Sequence, residues 1–238
     1  MASITQWQSN TSSALNYMNT TSSTMNDMIS SLQSARTLAV QGANGTLTTS
    51  DQADLADQVN QIASQMQTLA NTQVGSNYIF SGTAANQPLL PTDGSLSQAN
   101  EAPVNFAVGN NISINIAVDG TALYGDNDTG IMATLTSLST ALTNGDTDGI
   151  STAITNLDTN IANVTSQAAD LGARTNRITA ISNQLSASST NLQQNLSDTQ
   201  GIDMAKTITD FTYEQNTYNA ALAVGAKIIQ PSLIDYLK

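Results

Sequence analysis

Few side chains in this sequence could do chemistry. Asn144-Gly145-Asp146-Thr147-Asp148-Gly149 sets oxygen-bearing side chains at alternate positions with a glycine sixth, as a calcium loop does. The bidentate acid that such a loop needs at its twelfth position is Thr155 here. The stretch therefore reads as an acidic helix–helix turn with a capping residue. Asp126-Asn127-Asp128-Thr129-Gly130 imitates the same loop and is cut shorter. Asp119 and Asp126 could act as an acid and base pair, but no pattern places them in one pocket. Histidine and cysteine are both absent. Their absence removes the usual general base, thiolate ligands, disulfides and any Ser-His or Cys-His arrangement. No glycine-rich phosphate loop is present. The expectation is a protein that is not an enzyme and has no catalytic, metal-binding or cofactor-binding residue.

The elements that would position such residues are long. From Ile150 the apolar positions run Ile154, Leu157, Ile161, Val164, Ala168, Leu171, Thr175 and Ile178. Steps of four and three alternate, which draws one seam along an α-helix. With one local shift the seam continues through Ile181, Leu185, Ser189, Leu192 and Leu196. The spacing predicts a helix over 150–196, ~70 Å long at ~1.5 Å per residue. Ser197-Asp198-Thr199-Gln200-Gly201 is expected to break it. A second long seam starts at Ile4 and Trp7 and runs through Met18, Met25, Met28 and Leu32 to Ala39; Gly42 and Asn44-Gly45 stop it. Thr48 and Asp51 signal the start of a third helix, on Leu55, Val59, Ile62, Met66 and Leu69. The short link between the second and third folds one back on the other. Leu135, Leu138 and Leu142 mark a shorter helix. A final one begins near Asp203 on Ala205, Ile208, Phe211, Gln215, Tyr218 and Leu222, and Pro231 ends or kinks it.

Between the third and fourth helices the period drops to two. Val74 to Gly82 reads as a short strand or hairpin, and Asp93-Gly94 as a loop turn. Val104–Val108 and Ile112–Val118 alternate as strands, and Asp119-Gly120 could turn the chain so that Thr121–Tyr124 returns. The fold class is mainly α: an elongated antiparallel bundle of long helices with a small β-rich insertion. The domain reading is a helical rod formed by 1–82 and 129–200, a variable outer domain over 83–128, and an axial terminal segment over 201–238.

Charge narrows the function classes. Eighteen acids face six bases, a formal charge of −12. No base lies between Arg36 and Arg174. A field of that sign repels phosphate backbones and anionic lipid, so neither nucleic acid nor membrane is an expected partner. No apolar run is long enough to span a bilayer, and no charged segment followed by an apolar one marks a cleaved secretory signal. Polar residues interrupt the seams at Thr11, Thr21, Thr175, Ser189 and Gln215. A self-sufficient coiled coil rarely dilutes its core so far. The sharper reading is a chain that completes its packing in an assembly.

Residues 203–237, Asp-Met-Ala-Lys-Thr-Ile-Thr-Asp-Phe-Thr-Tyr-Glu-Gln through Ile-Ile-Gln-Pro-Ser-Leu-Ile-Asp-Tyr-Leu, closely resemble the C-terminal end of the hook–filament junction proteins of the flagellin family, the hook-associated protein 3 group. Leu171-Gly172-Ala173-Arg174-Thr175-Asn176-Arg177 is similar to that family's long-helix motif. Ala35-Arg36-Thr37-Leu38-Ala39-Val40-Gln41 resembles its first helix, and Asn77-Tyr78-Ile79-Phe80-Ser81-Gly82 its helix-to-hairpin junction.

The resemblance implies a structural component of the bacterial flagellum, exported without a cleaved signal through the flagellar type III apparatus. It would be extracellular and form a ring between hook-associated protein 1 and the flagellin filament. Partners implied are hook-associated protein 1, flagellin, further copies of itself and an export chaperone. Alternatives are a flagellin filament subunit and a secreted binding or adhesin module carried by the β insertion.

The family carries a further segment ahead of the position of Ile4. Without it the chain is expected to be a monomer, with 201–238 poorly ordered in solution, or ordered only by self-association or non-native docking. The residues expected at the assembly interface are Arg174, Arg177, Ile208, Phe211, Tyr218, Leu222, Ile228 and Ile229.

Overall fold

A computed structural model describes residues 2–45, 47–91, 96, 103–125, 128–201 and 203–229. The Asp93-Gly94 turn, Asp126 and Pro231 lie outside the described residues. The chain forms six helices and two small antiparallel hairpins among them. In order these are α1 (Ala2–Gly42), α2 (Thr49–Ala70), β1 (Gln73–Val74), β2 (Asn77–Tyr78), β3 (Asn105–Gly109), β4 (Ile112–Asn115), α3 (Gly120–Tyr124), α4 (Ile131–Asn144), α5 (Thr147–Gln200) and α6 (Met204–Ile229). The fold class is mainly α, as the seams predict. Two compact units divide the chain between Ser189 and Thr190, within α5.

The core of the first unit follows directly from the three-four spacing. On α1, Thr11, Ala14, Met18, Thr21, Met25, Met28, Leu32, Ala35 and Ala39 are all buried. On α5 every seventh residue is buried: Ile150, Leu157, Val164, Leu171, Ile178 and Leu185. Ile154, Ile161 and Ala168 lie half-buried beside them and pack on the same core. Leu55, Val59 and Met66 of α2 and Ile131, Leu135, Leu138 and Leu142 of α4 complete it. Each such side chain, fully buried, is worth ~1.5–3 kcal/mol relative to exposure.

The polar atoms of the α1 seam are satisfied within the helix itself. The hydroxyls of Thr11, Thr21, Thr24 and Ser31 donate to the carbonyls of Trp7, Tyr17, Thr20 and Asp27, four residues earlier. Burying a hydroxyl costs free energy unless it is hydrogen-bonded, and here each supplies its own partner.

Local signals set the helix ends. Thr48 and Asp51 form a reciprocal capping box at the start of α2. The carboxylate of Asp51 accepts from the Thr48 hydroxyl and backbone N–H, at 2.7 and 3.0 Å, and these bonds hold it below the usual carboxylate range. Gly42 packs against α4: a Cβ there would come within 2.1 Å of a Leu142 methyl, so a larger residue would require that side chain to shift.

Two expectations change. Thr121–Tyr124 does not return as a strand; it is α3. Asp119 Oδ1 accepts from the backbone N–H groups of Thr121 at 2.9 Å and Ala122 at 3.2 Å, and from the Thr121 hydroxyl at 2.7 Å, so Asp119 caps a helix instead of closing a hairpin. The long helix runs on to Gln200, so 197–200 continue it; α6 begins at Met204. β3 and β4 pack on the helical core. Val108, Ile114 and Ile116 join the same core as α1, and the Asn10 amide donates to the Ala107 carbonyl at 2.8 Å.

Candidate functional site

In α6 the helical period and the burial disagree. Met204, Ile208, Phe211, Tyr218 and Leu222 fall at steps that share one helix face, and every one is exposed, Phe211 by 65%. Tyr213 and Val224, on the opposite face of the helix, are exposed as well. Toward the end of α5 the long seam surfaces in the same way: Leu185 is 8% exposed, and Leu192, one heptad on, is 39%. The one ion pair described in α6 joins Lys206 to Asp210 one turn later, at 2.9 Å. Such exposed pairs contribute little. Ile228 and Ile229 close α6, and their side chains lie outside the described residues. An apolar face this long offers packing and no catalysis. Burying it would release ~25 cal/mol per Å² of apolar surface, less the cost of ordering the partner.

The arginines have different surroundings. Arg174 donates to the Ala117 carbonyl at 3.0 Å and pairs with Asp170 one turn earlier, tying α5 to the segment after β4. Arg177 is exposed and has no hydrogen bond or ion pair among the described residues. Sequence reasoning put the two together; the structure gives one an internal bond and leaves the other at the surface. It also missed Arg36, whose guanidinium grips the Asp158 carboxylate by two bonds of 2.5 and 3.2 Å. That contact raises the Arg36 pKa and holds Asp158 below the ordinary carboxylate range.

Two tyrosines act as polar anchors in the core. Tyr17 donates to the Ile79 carbonyl at 2.6 Å, and burial pushes its pKa up to about 12. Tyr124 donates to the Met66 carbonyl at 2.8 Å, and burial raises its pKa further. No local pattern marks either residue, because each bond crosses some sixty positions.

The calcium-like stretch is a helix junction. Gly145 ends α4 in the left-handed conformation, and the Asp146 carboxylate accepts from Gly149 N at 3.0 Å at the start of α5. Its oxygens thus serve the backbone, as the capping reading expects. No cluster of three potential metal-binding side chains occurs among the described residues.

Family models account for both ends of the chain. The model described as the bacterial flagellin N-terminal helical region matches residues 1–85, and that of the bacterial flagellin C-terminal helical region matches 154–237. The chain belongs to the flagellin family. It is a structural protein of the bacterial flagellum. Among curated relatives, the flagellar filament 30.7 kDa core protein of Treponema maltophilum is 25% identical over 226 residues, covering 94% of this chain and 75% of that one.

Two solved structures come from one organism. The chain is similar to Bacillus cereus FlgL with a TM-score of 0.71 and 24% identity, over 80% of this chain and 93% of that one. It is similar to Bacillus cereus flagellin with a TM-score of 0.53 and 25% identity, over 78% and 93%. Flagellin-family membership gives the exposed α6 stripe a context: it lies inside the C-terminal family region, as do Arg174 and Arg177.

Proposed function

We propose that this protein is the junction subunit of the flagellum, forming a ring between hook-associated protein 1 and the flagellin filament. The observation that carries the reading is the pair of Bacillus cereus likenesses. At nearly equal identity, the backbone follows FlgL more closely than flagellin, by TM-scores of 0.71 and 0.53. The C-terminal residues 203–237 support it through their resemblance to the junction group.

In this reading the subunit is exported through the flagellar type III apparatus, held by a chaperone beforehand, and acts outside the cell. Hook-associated protein 1, flagellin and neighbouring copies are its partners, and packing is its mechanism. The α6 stripe of Ile208, Phe211, Tyr218 and Leu222, continued by Ile228 and Ile229, is the axial contact. Exposed Arg177 and half-buried Arg174 face a neighbouring subunit. A second reading, a filament subunit, is favoured by the Treponema maltophilum relative.

Complementation separates them. A flagellated strain lacking its junction protein sheds flagellin and keeps bare hooks. Expression of this protein restores filaments if the junction reading holds, and Leu222→Asp prevents the rescue. Rescue only of a flagellin-deficient strain establishes the filament reading instead.

A further inference from the structure

The sequence holds two Asn-Gly pairs at helix ends, and the fold treats them differently. An asparagine amide is lost when the backbone nitrogen of the next residue attacks its Cγ. Glycine in second place exposes that nitrogen best, and a helical backbone at the asparagine keeps the two atoms apart.

Asn144 is the last residue of α4. The N–H of Gly145, the nitrogen that would have to attack, donates to the Leu142 carbonyl at 3.1 Å. Asp146 N donates to the Ala141 carbonyl at 2.9 Å and locks the same turn. Reaction there requires the helix end to open.

Asn44 lies two residues beyond α1. Asn44 and Gly45 are both exposed, and the Asn44 side chain makes no hydrogen bond among the described residues. Asn44 N donates to the Gln41 carbonyl at 3.1 Å and the Asn44 carbonyl accepts from Leu47 N at 3.4 Å, but the Gly45 N–H, the attacking nitrogen, makes no backbone hydrogen bond among the described residues. A Cβ added at Gly45 would meet nothing within 4 Å.

We propose that Asn44 is a hydrolytic modification site of the folded protein. Gly45 N bonds to Asn44 Cγ, and the side-chain amide leaves as ammonia, taking the Gly45 amide proton with it. Water then opens the succinimide to aspartate or isoaspartate. Each event adds a negative charge beside the C-terminal end of α1, where the helix dipole is already negative. The isoaspartate product also adds a methylene to the backbone of the α1–α2 turn. The inference rests on the turn geometry alone and does not depend on the junction reading.

The test is incubation of the full chain at mildly alkaline pH, followed by digestion before aspartate. Cleavage yields peptides 27–50 and 128–145, with one Asn-Gly pair in each. Mass spectrometry then reads the conversion of amide to acid in each peptide. Isoaspartate at position 44 leaves 27–50 intact, whereas aspartate creates a new cut there.

The expected result is conversion at Asn44 at least roughly tenfold faster than at Asn144, the protection that modest local opening of a helix end would give. Gly45→Ala should slow it without unfolding the chain, since the added methyl meets nothing. In strong denaturant the two sites should convert at similar rates. Equal native rates, faster conversion at Asn144, or no slowing by Gly45→Ala would overturn the proposal.

Discussion

The stretch from Ile150 to Leu185 in α5 and the stretch from Met204 to Leu222 in α6 carry the same kind of apolar seam. In the first the heptad positions are sealed; in the second all the large apolar side chains are exposed. Periodicity therefore specifies a face and leaves open what covers it. In α5 the cover is intramolecular: α1, α2 and α4 supply the other walls of one core. In α6 the same pattern is left exposed, the apolar surface that the proposed assembly would cover.

The largest effect should come from emptying the sealed seam. Leu171→Ala removes a fully buried side chain and should cost ~2–5 kcal/mol in denaturant unfolding. A loss under about 1 kcal/mol would mean that the α5 core is looser than its burial indicates.

Next is the alkaline limb. The phenols of Tyr17 and Tyr124 titrate higher folded than their unfolded value of about 10. Above pH ~10 the unfolded chain loses these protons first, so stability intact below that pH should fall as pH rises toward the folded values. The slope is ~1.4 kcal/mol per pH unit for each phenol, and Tyr17→Phe should flatten it toward pH 12. An unchanged slope in that variant would remove Tyr17 as a cause.

A smaller effect is expected in α6. Leu222→Ala should alter monomer stability by no more than about 0.5 kcal/mol while impairing filament recovery in complementation. A core-sized loss would show that α6 is covered in the free subunit. Smallest of all, Arg36→Gln should give a slight loss that fades with added salt, because its ion pair with Asp158 is exposed.

Much of this molecule was legible in its sequence, for a physical reason. Long helices repeat one signal many times, so α1, α2, α5 and α6 could be read from spacing alone. The short elements offered too few residues. Asp119-Gly120 suits both a tight turn and a helix cap, and only the amides of Thr121 and Ala122 decide between them. The point where α5 surfaces was equally hidden, since Leu185 and Leu192 are identical in type and phase. Bonds such as Arg36 to Asp158, 122 positions apart, leave no local trace. Of the residues expected at the interface, the shared face of the α6 stripe could be read from phase, but the different surroundings of Arg174 and Arg177 could not.

The buried hydroxyls of α1 have a consequence for registry. Each donates to its own helix, so none of those bonds records where a neighbouring helix stands. A seam of methionines and self-satisfied threonines sets almost no directional constraint on its partners. The polar contacts that fix α1's axial position therefore lie off the seam: Asn10 to the Ala107 carbonyl, Tyr17 to the Ile79 carbonyl and Arg36 to the Asp158 carboxylate.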